Sequence, residues 1–544
     1  MKKKRFLFII SLFLSISIIH LCFASNFPIK GDLKREYGLL ILHLKGKPFE
    51  IGYAYGSLIK KETLESINFF TEQYTPSFMR FPPLKWVVLH FSSIFLVNRL
   101  FESDREMLKG GSKVLGISYP ELLLGALAFD LEVASHNCSG VIALGDATSD
   151  HNIIHGRNFD FLGQGVLDKN RVVAFIREEG KFGYVTIGSP ITAAGTTTGM
   201  NEKGLSIQLN WLDTKDNYFF GKSIPSLLRK ILTEADSVED AIKIIKGNNR
   251  MRGAILIICD REKGVVVELS SKVIGIRYPK KGILFATNVA HTSEIAPLMK
   301  WPMDKNPNNK FREKRFNLII KKYYGHIDVK SMVNILRDHR SVISQQDVLD
   351  GLTINSIRTT HSVIFEPKKL KFWVAIGKAP VPYNRYISFD LKKELSSIPY
   401  NHQIIPADKF TTSSIFIDGM KGIKLMWKAD KAVRRKKYDK AIKLYMRSLK
   451  FKGFDHARIF LKIGNAFLLK KDLCSAEKYI IKAMSTFSEY MHIKPVGLLL
   501  LGKIADLQKQ REKAISFYKE AIKAGNSFPS VIKLAKEYID KPYQ

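Results

Sequence analysis

Cysteine is scarce in this chain, and acidic side chains are few. Four cysteines in 544 residues, at positions 22, 138, 259 and 474, are too sparse and too far apart to suggest a disulfide framework. Against 86 Lys and Arg stand only 51 Asp and Glu, a formal net charge of +35. The lysines are scattered along the whole chain, so the excess predicts peripheral attraction to anionic surfaces rather than a specific nucleic-acid groove. No zinc-finger or RNA-binding signature accompanies the charge, and a solvated basic surface is the reading the scatter favours. Beyond residue 24 there is no long hydrophobic run. Residues 86–97 are apolar but short and interrupted by His90, Ser92 and Ser93, which excludes a membrane span and predicts a core helix. The loop Gly195-Thr196-Thr197-Thr198-Gly199 lacks the following Lys-Ser/Thr of a phosphate-binding loop.

What is present begins with Lys2, Lys3, Lys4 and Arg5, an apolar run over 6–23, and Ala24-Ser25. That order is the order of a secretory leader cut after Ala24. A secreted or periplasmic mature protein is therefore expected, with an uncleaved N-terminal membrane anchor as the second reading. At 544 residues and 45% hydrophobic content, two or three domains are expected.

Because cysteines are few, the surroundings of each are informative. Cys259 ends the apolar run Ala254–Ile258 and reads as a buried strand residue; Cys474 falls in a helical repeat. Cys138 alone sits among Asn, Ser, Gly and charged neighbours, in SHNCSGVIALGDATSDHNIIHGRNFDF (135–161). Two β-prone runs joined by Gly, Asp, Ser and Asn predict a hairpin. Symmetric pairing about the bend would set Cys138 opposite residues close to Arg157 and Asp160. His136, His151 and His155 also lie here, yet no carboxylate or second cysteine completes a zinc spacing, so no metal and no cofactor are expected.

Before the hairpin, an opening strand at 39–42 and helices over 54–74, 86–97 and 120–134 are predicted. After it come β-like runs at 172–176, 183–187, 205–209, 255–258, 265–269, 283–285, 361–365 and 372–376. Helices are predicted at 224–246 and 311–324. The sum is an α+β domain whose sheets need helical cover, ending near residue 377.

These residues carry a resemblance. Gly46-Lys47-Pro48-Phe49-Glu50-Ile51-Gly52 with Gly56, then Cys138, then Gly156-Arg157-Asn158-Phe159-Asp160, then Thr287-Asn288, occur in an order that resembles the penicillin acyltransferase-like family of N-terminal-nucleophile (Ntn) cysteine hydrolases. The resemblance covers residues 35–380. It implies a four-layer αββα sandwich and a precursor cut between Asn137 and Cys138. Cys138 would then use its own α-amino group, with a reference pKa of about 7.7–8.0, to activate its thiol. Arg157 would favour the thiolate and hold a substrate oxygen, while Asp160 would orient the new amine. Asn210 and Asn288 would face the nucleophile. Arg315 would supply a later arginine of related enzymes, Arg312 fitting nearly as well. The substrate implied is a small linear acyl amide.

On this reading the chain divides into a leader (1–24), a helical prosegment (25–137), an Ntn catalytic domain (138–380), a linker or covering segment (381–424) and a helical repeat domain (425–544). In the last, Ala429, Ala441, Tyr445 and Ser448 recur as Gly464, Ala476, Ile480 and Ala483, then as Gly502, Ala514, Tyr518 and Ala521. Small residues at helix crossings with a larger side chain one turn later resemble tetratricopeptide repeats, with a capping helix over 527–538. Such a tail predicts either a protein- or peptide-binding groove or a rigid appendage. Two function classes follow: an exported amidohydrolase or acyltransferase working through acyl-Cys138, or a scaffold in which a catalytically retired domain supports the repeats.

Overall fold

The computed structural model describes residues 27–74, 93–128, 130–131, 137–161, 166–301 and 307–544. The leader, His136, and residues 86–92 of the expected core helix lie outside the described residues.

Among the described residues, sixteen strands form two sheets: β1 (Gly31–Glu36), β2 (Leu39–Gly46), β3 (Asn137–Ala143), β4 (Ile154–Asp160), β5 (Arg171–Glu178), β6 (Tyr184–Gly188), β7 (Thr198–Asn201), β8 (Ser206–Trp211), β9 (Ala254–Cys259), β10 (Gly264–Leu269), β11 (Ile274–Arg277), β12 (Ile283–Ala286), β13 (Thr359–Glu366), β14 (Lys371–Ala375), β15 (Tyr386–Asp390) and β16 (Ile404–Ile405). The nine-stranded sheet runs β1-β2-β5-β6-β7-β8-β9-β10-β11, and the seven-stranded sheet β12-β3-β4-β13-β14-β15-β16. The pair β2/β5 is parallel.

The sheets stack face to face. Ile41, Val173 and Phe175 of the first pack on Val363, Phe372 and Ile387 of the second, and Ile142 packs on Ile255 and Ile257. Helices cover both outer faces. Leu42, Ala174 and Leu256 meet the helices Pro48–Leu58, Glu102–Leu115 and Ile224–Glu234, while Val141, Ile154 and Ile364 meet Phe316, Met332 and Leu336 of Pro307–Tyr323 and Val329–Leu336. The fold is a four-layer αββα sandwich. Because both faces of each sheet are covered, strands such as β9 are apolar throughout rather than alternating.

The Gly46–Gly56 stretch has a packing reason for its glycines. A Cβ on Gly52 would lie 1.9 Å from the carbonyl oxygen of Met107, and one on Gly110 would lie 2.0 Å from that of Phe49. Backbone therefore touches backbone where Pro48–Leu58 crosses Glu102–Leu115, as only glycine permits.

Three expected elements differ in extent. The helix expected over 54–74 is two helices, Pro48–Leu58 and Lys60–Tyr74, and that over 224–246 is likewise two, Ile224–Glu234 and Val238–Lys246. The second break has a local cause: Ser237 caps the following helix by accepting from the Asp240 amide. The segment expected as a linker supplies β15 and β16 to the seven-stranded sheet, because Tyr386, Ile387 and Phe389 are apolar enough to be fully buried there.

After Ser414 the chain is helical. Ser414–Arg434 pairs with Tyr438–Ser448, His456–Leu469 with Leu473–Ser485, and Ile493–Leu507 with Arg511–Ala524, followed by Pro529–Asp540. The recurring small residues sit at the crossings: a Cβ on Gly464 would be 2.5 Å from Ile480, and one on Gly502 2.3 Å from the Tyr518 ring. Each hairpin turns through a left-handed lysine, Lys436, Lys471 and Lys509, with φ of 57°, 67° and 63°. These three follow the spacing of the sequence repeat, a signal absent from composition because lysine is not a residue that favours this region.

The helical array is welded to the sandwich. Leu349, Ile357 and Tyr383 share one apolar cluster with Met420, Ile423, Met426 and Phe460. Above it, fully buried Asp350 pairs with Arg458 and accepts from the Tyr490 hydroxyl at 2.6 Å.

Candidate active site

The β3–β4 hairpin sets Asn137 opposite Asp160, Cys138 opposite Phe159 and Gly140 opposite Arg157. Paired residues share a face, so Cys138 and Arg157 both point into the space between the sheets. The bare Cα of Gly140 makes room there: a Cβ would lie 2.4 Å from Gln208 Oε1 and from Ile257.

Cys138 is 1% exposed. Its backbone N–H donates to Asn288 Oδ1 at 2.8 Å, and Asn288 Nδ2 donates to the Trp211 carbonyl at 2.8 Å. The Trp211 amide and the Arg157 guanidinium lie close enough to the thiol to act on it electrostatically. Burial raises the thiol pKa, and the nearby Arg157 and Arg312 only partly offset it. While its nitrogen is an amide, Cys138 is thus held as a thiol with no base attached.

Arg157 is fully buried and donates to the Thr197 carbonyl, to Thr198 Oγ1 and to the Leu209 carbonyl. Burial lowers its pKa to about 10, opposed by Cys138 and Asp160, so it stays charged at neutral pH. Burial pushes Asp160 up to about 6 although Arg312, Thr359, Arg358 and Arg157 pull the other way; its Oδ1 accepts from Thr359 Oγ1 at 2.6 Å.

Arg312, rather than Arg315, is the arginine at Cys138. Its Nη1 donates to the Cys138 carbonyl and, at 2.9 Å, to Ser139 Oγ, and its Nη2 donates to Asn288 Oδ1 at 3.1 Å. Arg315 instead forms a bidentate pair with Asp338, both contacts 2.6 Å. A sequence signal separates the two: Asn308 and Asn309 precede Arg312 at i−4 and i−3, and on a helix those spacings meet. Both amide oxygens do accept from its guanidinium.

Asn210 lies one step further out. Its Nδ2 donates to the Ala286 and Thr287 carbonyls at 3.2 and 2.9 Å, and its Oδ1 accepts from Gln208 Nε2 at 2.5 Å. It thereby fixes the strand end that carries Asn288. Gln208, which sequence reasoning passed over, also donates to the Ser139 carbonyl and meets His155 Nε2 at 3.1 Å. Burial drops His155 to about 4, so it is a neutral core histidine. Among the described residues no group of three or more His, Cys, Asp and Glu is placed to hold a metal, and no helix is long and apolar enough to cross a membrane.

Two cavities are lined by neighbours of Cys138, one by its hairpin partner Phe159 and the other by Asn137. One, of about 170 Å³, is mainly apolar and lined by Tyr55, Phe159, Phe161, Ile187, Thr197 and His361 among others. The other, of about 470 Å³, opens at Asn137, Asn308 and Arg358 and is walled on its far side by the helical array.

Residues 147–380 match the sequence model of the family described as Acyl-coenzyme A:6-aminopenicillanic acid acyl-transferase. Over those residues the sandwich is similar to that family. The matched span begins after Cys138. An uncharacterized protein of Archaeoglobus fulgidus is 26% identical over 274 residues, 44% of this chain and 45% of that protein, so the chain spans less than half of that relative's length. Protein dcd1B of Dictyostelium discoideum is 22% identical over 396 residues, 66% of this chain and 75% of that one. Among solved structures, the Caenorhabditis elegans ortholog of N-acylethanolamine-hydrolyzing acid amidase aligns with 16% identity and a TM-score of 0.32, covering 42% of this chain and 93% of that one. Penicillin V acylase from Agrobacterium tumefaciens aligns with 14% identity and a TM-score of 0.32, covering 49% and 90%.

Proposed function

We propose that the protein is an exported, self-processing cysteine amidohydrolase or acyltransferase that forms an acyl-thioester on Cys138. The observation that carries this reading is the environment of the Cys138 backbone nitrogen and thiol, held by Asn288 and Arg157 at the first residues of β3. Cutting the Asn137–Cys138 bond turns that nitrogen into a primary amine. The amine takes the thiol proton, sulfur attacks the amide carbonyl, and the protonated amine returns the proton to the leaving amine. Water or an acceptor amine then opens the thioester.

Within this mechanism Arg157 favours the thiolate, Asp160 favours the charged form of the amine, and Arg312 holds the Cys138 carbonyl. Asn288 Oδ1 holds the Cys138 nitrogen, and the hydrogen of its Nδ2 not given to the Trp211 carbonyl is the donor for the developing oxyanion, where one well-placed donor is worth about 2.7–4 kcal/mol of barrier. Asn210 could serve there only after exchanging its bonds to the Ala286 and Thr287 carbonyls. The acyl group occupies the apolar cavity beside Phe159. A retired site would have little reason to keep the Arg157 charge fully buried without a carboxylate bonded to it, an arrangement that costs stability.

The test is release of amine from a linear N-acyl amide, together with labelling by iodoacetamide, which reads thiolate rather than thiol. Wild type is expected to turn the amide over and to label at Cys138, while Cys138→Ala does neither. Turnover that survives in Cys138→Ala would put the chemistry elsewhere.

A further inference from the structure

The cleft on the Asn137 side is built by both parts of the molecule. Asn137, Asn308 and Arg358 line it from the sandwich, and Tyr490, His492 and Phe528 from the helical array. A second cavity of about 440 Å³ continues along the array and shares Arg358, Tyr490 and His492 with the first. The apolar cavity has a different lining, with Phe159, which pairs with Cys138 across the hairpin, and Thr197, whose carbonyl accepts from Arg157. A linear amide with its acyl half in the apolar cavity and its amine half in the cleft beside Asn137 would run that amine half along the helical array.

The charges on this route are unequal. Arg458 is neutralised by Asp350, and Lys462 by Asp430 at 2.8 Å. Arg358 is exposed at the junction of the two cavities, and no ion pair engages it among the described residues. It lies near enough to Asp160 to act on it electrostatically. The one acidic residue lining the two cavities, by contrast, is already committed: Asp430 accepts from Lys462 and from the Tyr445 hydroxyl.

Building on the amidase reading above, we propose that the helical array is the amine-side wall of the substrate cleft, and that Arg358 receives an anionic group, carboxylate or phosphate, on the amine half of the substrate. A planar guanidinium pairs with either group through two parallel hydrogen bonds. The array thus contributes to specificity rather than serving only as an appendage.

The test compares three amides of one acyl chain: N-octanoylglycine, N-octanoyl-O-phosphoethanolamine and neutral N-octanoylethanolamine. Wild type should show a KM about tenfold lower for at least one anionic substrate than for the neutral one, and which of the two gains identifies the anion. Arg358→Ala should erase that preference, read as the ratio of KM values among the three amides within the variant, and Arg358→Lys should restore part of it. Ser530→Trp, an exposed array residue on the cleft wall, should raise KM for all three without lowering the yield of folded protein. Equal KM values in wild type, a preference that persists in Arg358→Ala, or no response to Ser530→Trp would overturn the proposal while leaving the amidase reading standing. Failure to turn over any of the three would instead overturn the amidase reading, and the proposal with it.

Discussion

The sandwich and the helical array bury opposite things. The sandwich buries charge: Arg157, Arg171, Arg312 and Asp160 are all nearly or fully inaccessible. The array buries smallness, with Ala429, Ala441, Gly464, Ala476, Gly502 and Ala514 at its crossings, and it keeps most of its lysines at the surface. Buried charge lowers stability unless something requires it, so its distribution points to function only after structural uses are removed. Arg171 shows such a use, donating to the carbonyls of Ala375, Gly377 and Asp168 and pinning β5 to the end of β14. Arg157 differs by touching a thiol, and Arg312 by touching the carbonyl of that same cysteine.

The sharpest way to break this comparison uses two arginines three residues apart on one helix. Arg312→Ala should reduce processing and turnover at least 100-fold and cost about 3–5 kcal/mol, the scale for leaving a buried charge network unpaired. Arg315→Ala, which breaks a mostly buried bidentate pair with Asp338, should cost a similar amount, about 3–5 kcal/mol, yet leave turnover of the folded protein within a few-fold. Chemical denaturation and a chain-cleavage assay check both. Equal losses of processing and turnover would show that Arg312 is no more than structural.

Asp350→Ala probes the weld between the two parts. It leaves Arg458 buried without its counter-charge, and a loss of about 3 kcal/mol is expected, seen as early unfolding of the array in native-state hydrogen exchange. Gly502→Val, which forces a side chain into the Tyr518 ring, should cost about 1–3 kcal/mol in the same region. A loss confined to the sandwich would contradict the shared core of Leu349 and Ile357 with the array.

Asp160→Asn gives an effect whose size depends on pH. Burial raises the Asp160 pKa from 3.8 to about 6, so the stability it contributes is present below pH 3.8 and is lost as pH rises through about 6. In a Cys138→Ala background, which keeps the chain uncut, Asp160→Asn should therefore be more stable than its parent by about 1–3 kcal/mol at pH 7.5 and equal to it near pH 3.5. Parallel denaturation curves at the two pH values check this.

Much of the site was legible because the hairpin is local. Symmetric pairing about one bend was enough to bring Arg157 and Asp160 to Cys138, and Thr287-Asn288 followed from the resemblance. What was not legible depends on tertiary contact. Only the asparagines at i−4 and i−3 mark Arg312 off from Arg315 in sequence; the helix then places one over Cys138 and the other against Asp338. Gln208 and Thr359 enter through strands 70 or more residues away from Cys138, and no local pattern marks them. The repeat spacing was readable from small residues, but its seat against Asn137 was not, because Asp350 and Arg458 are ordinary surface-type residues until they meet.

The central claim is that Cys138 becomes an N-terminal residue, and intact mass with N-terminal sequencing of the purified wild-type protein tests it most directly. The account predicts two fragments, the larger beginning at Cys138, and a single uncut chain in Cys138→Ala. A wild-type protein that turns over amides while its Asn137–Cys138 bond remains whole would contradict it.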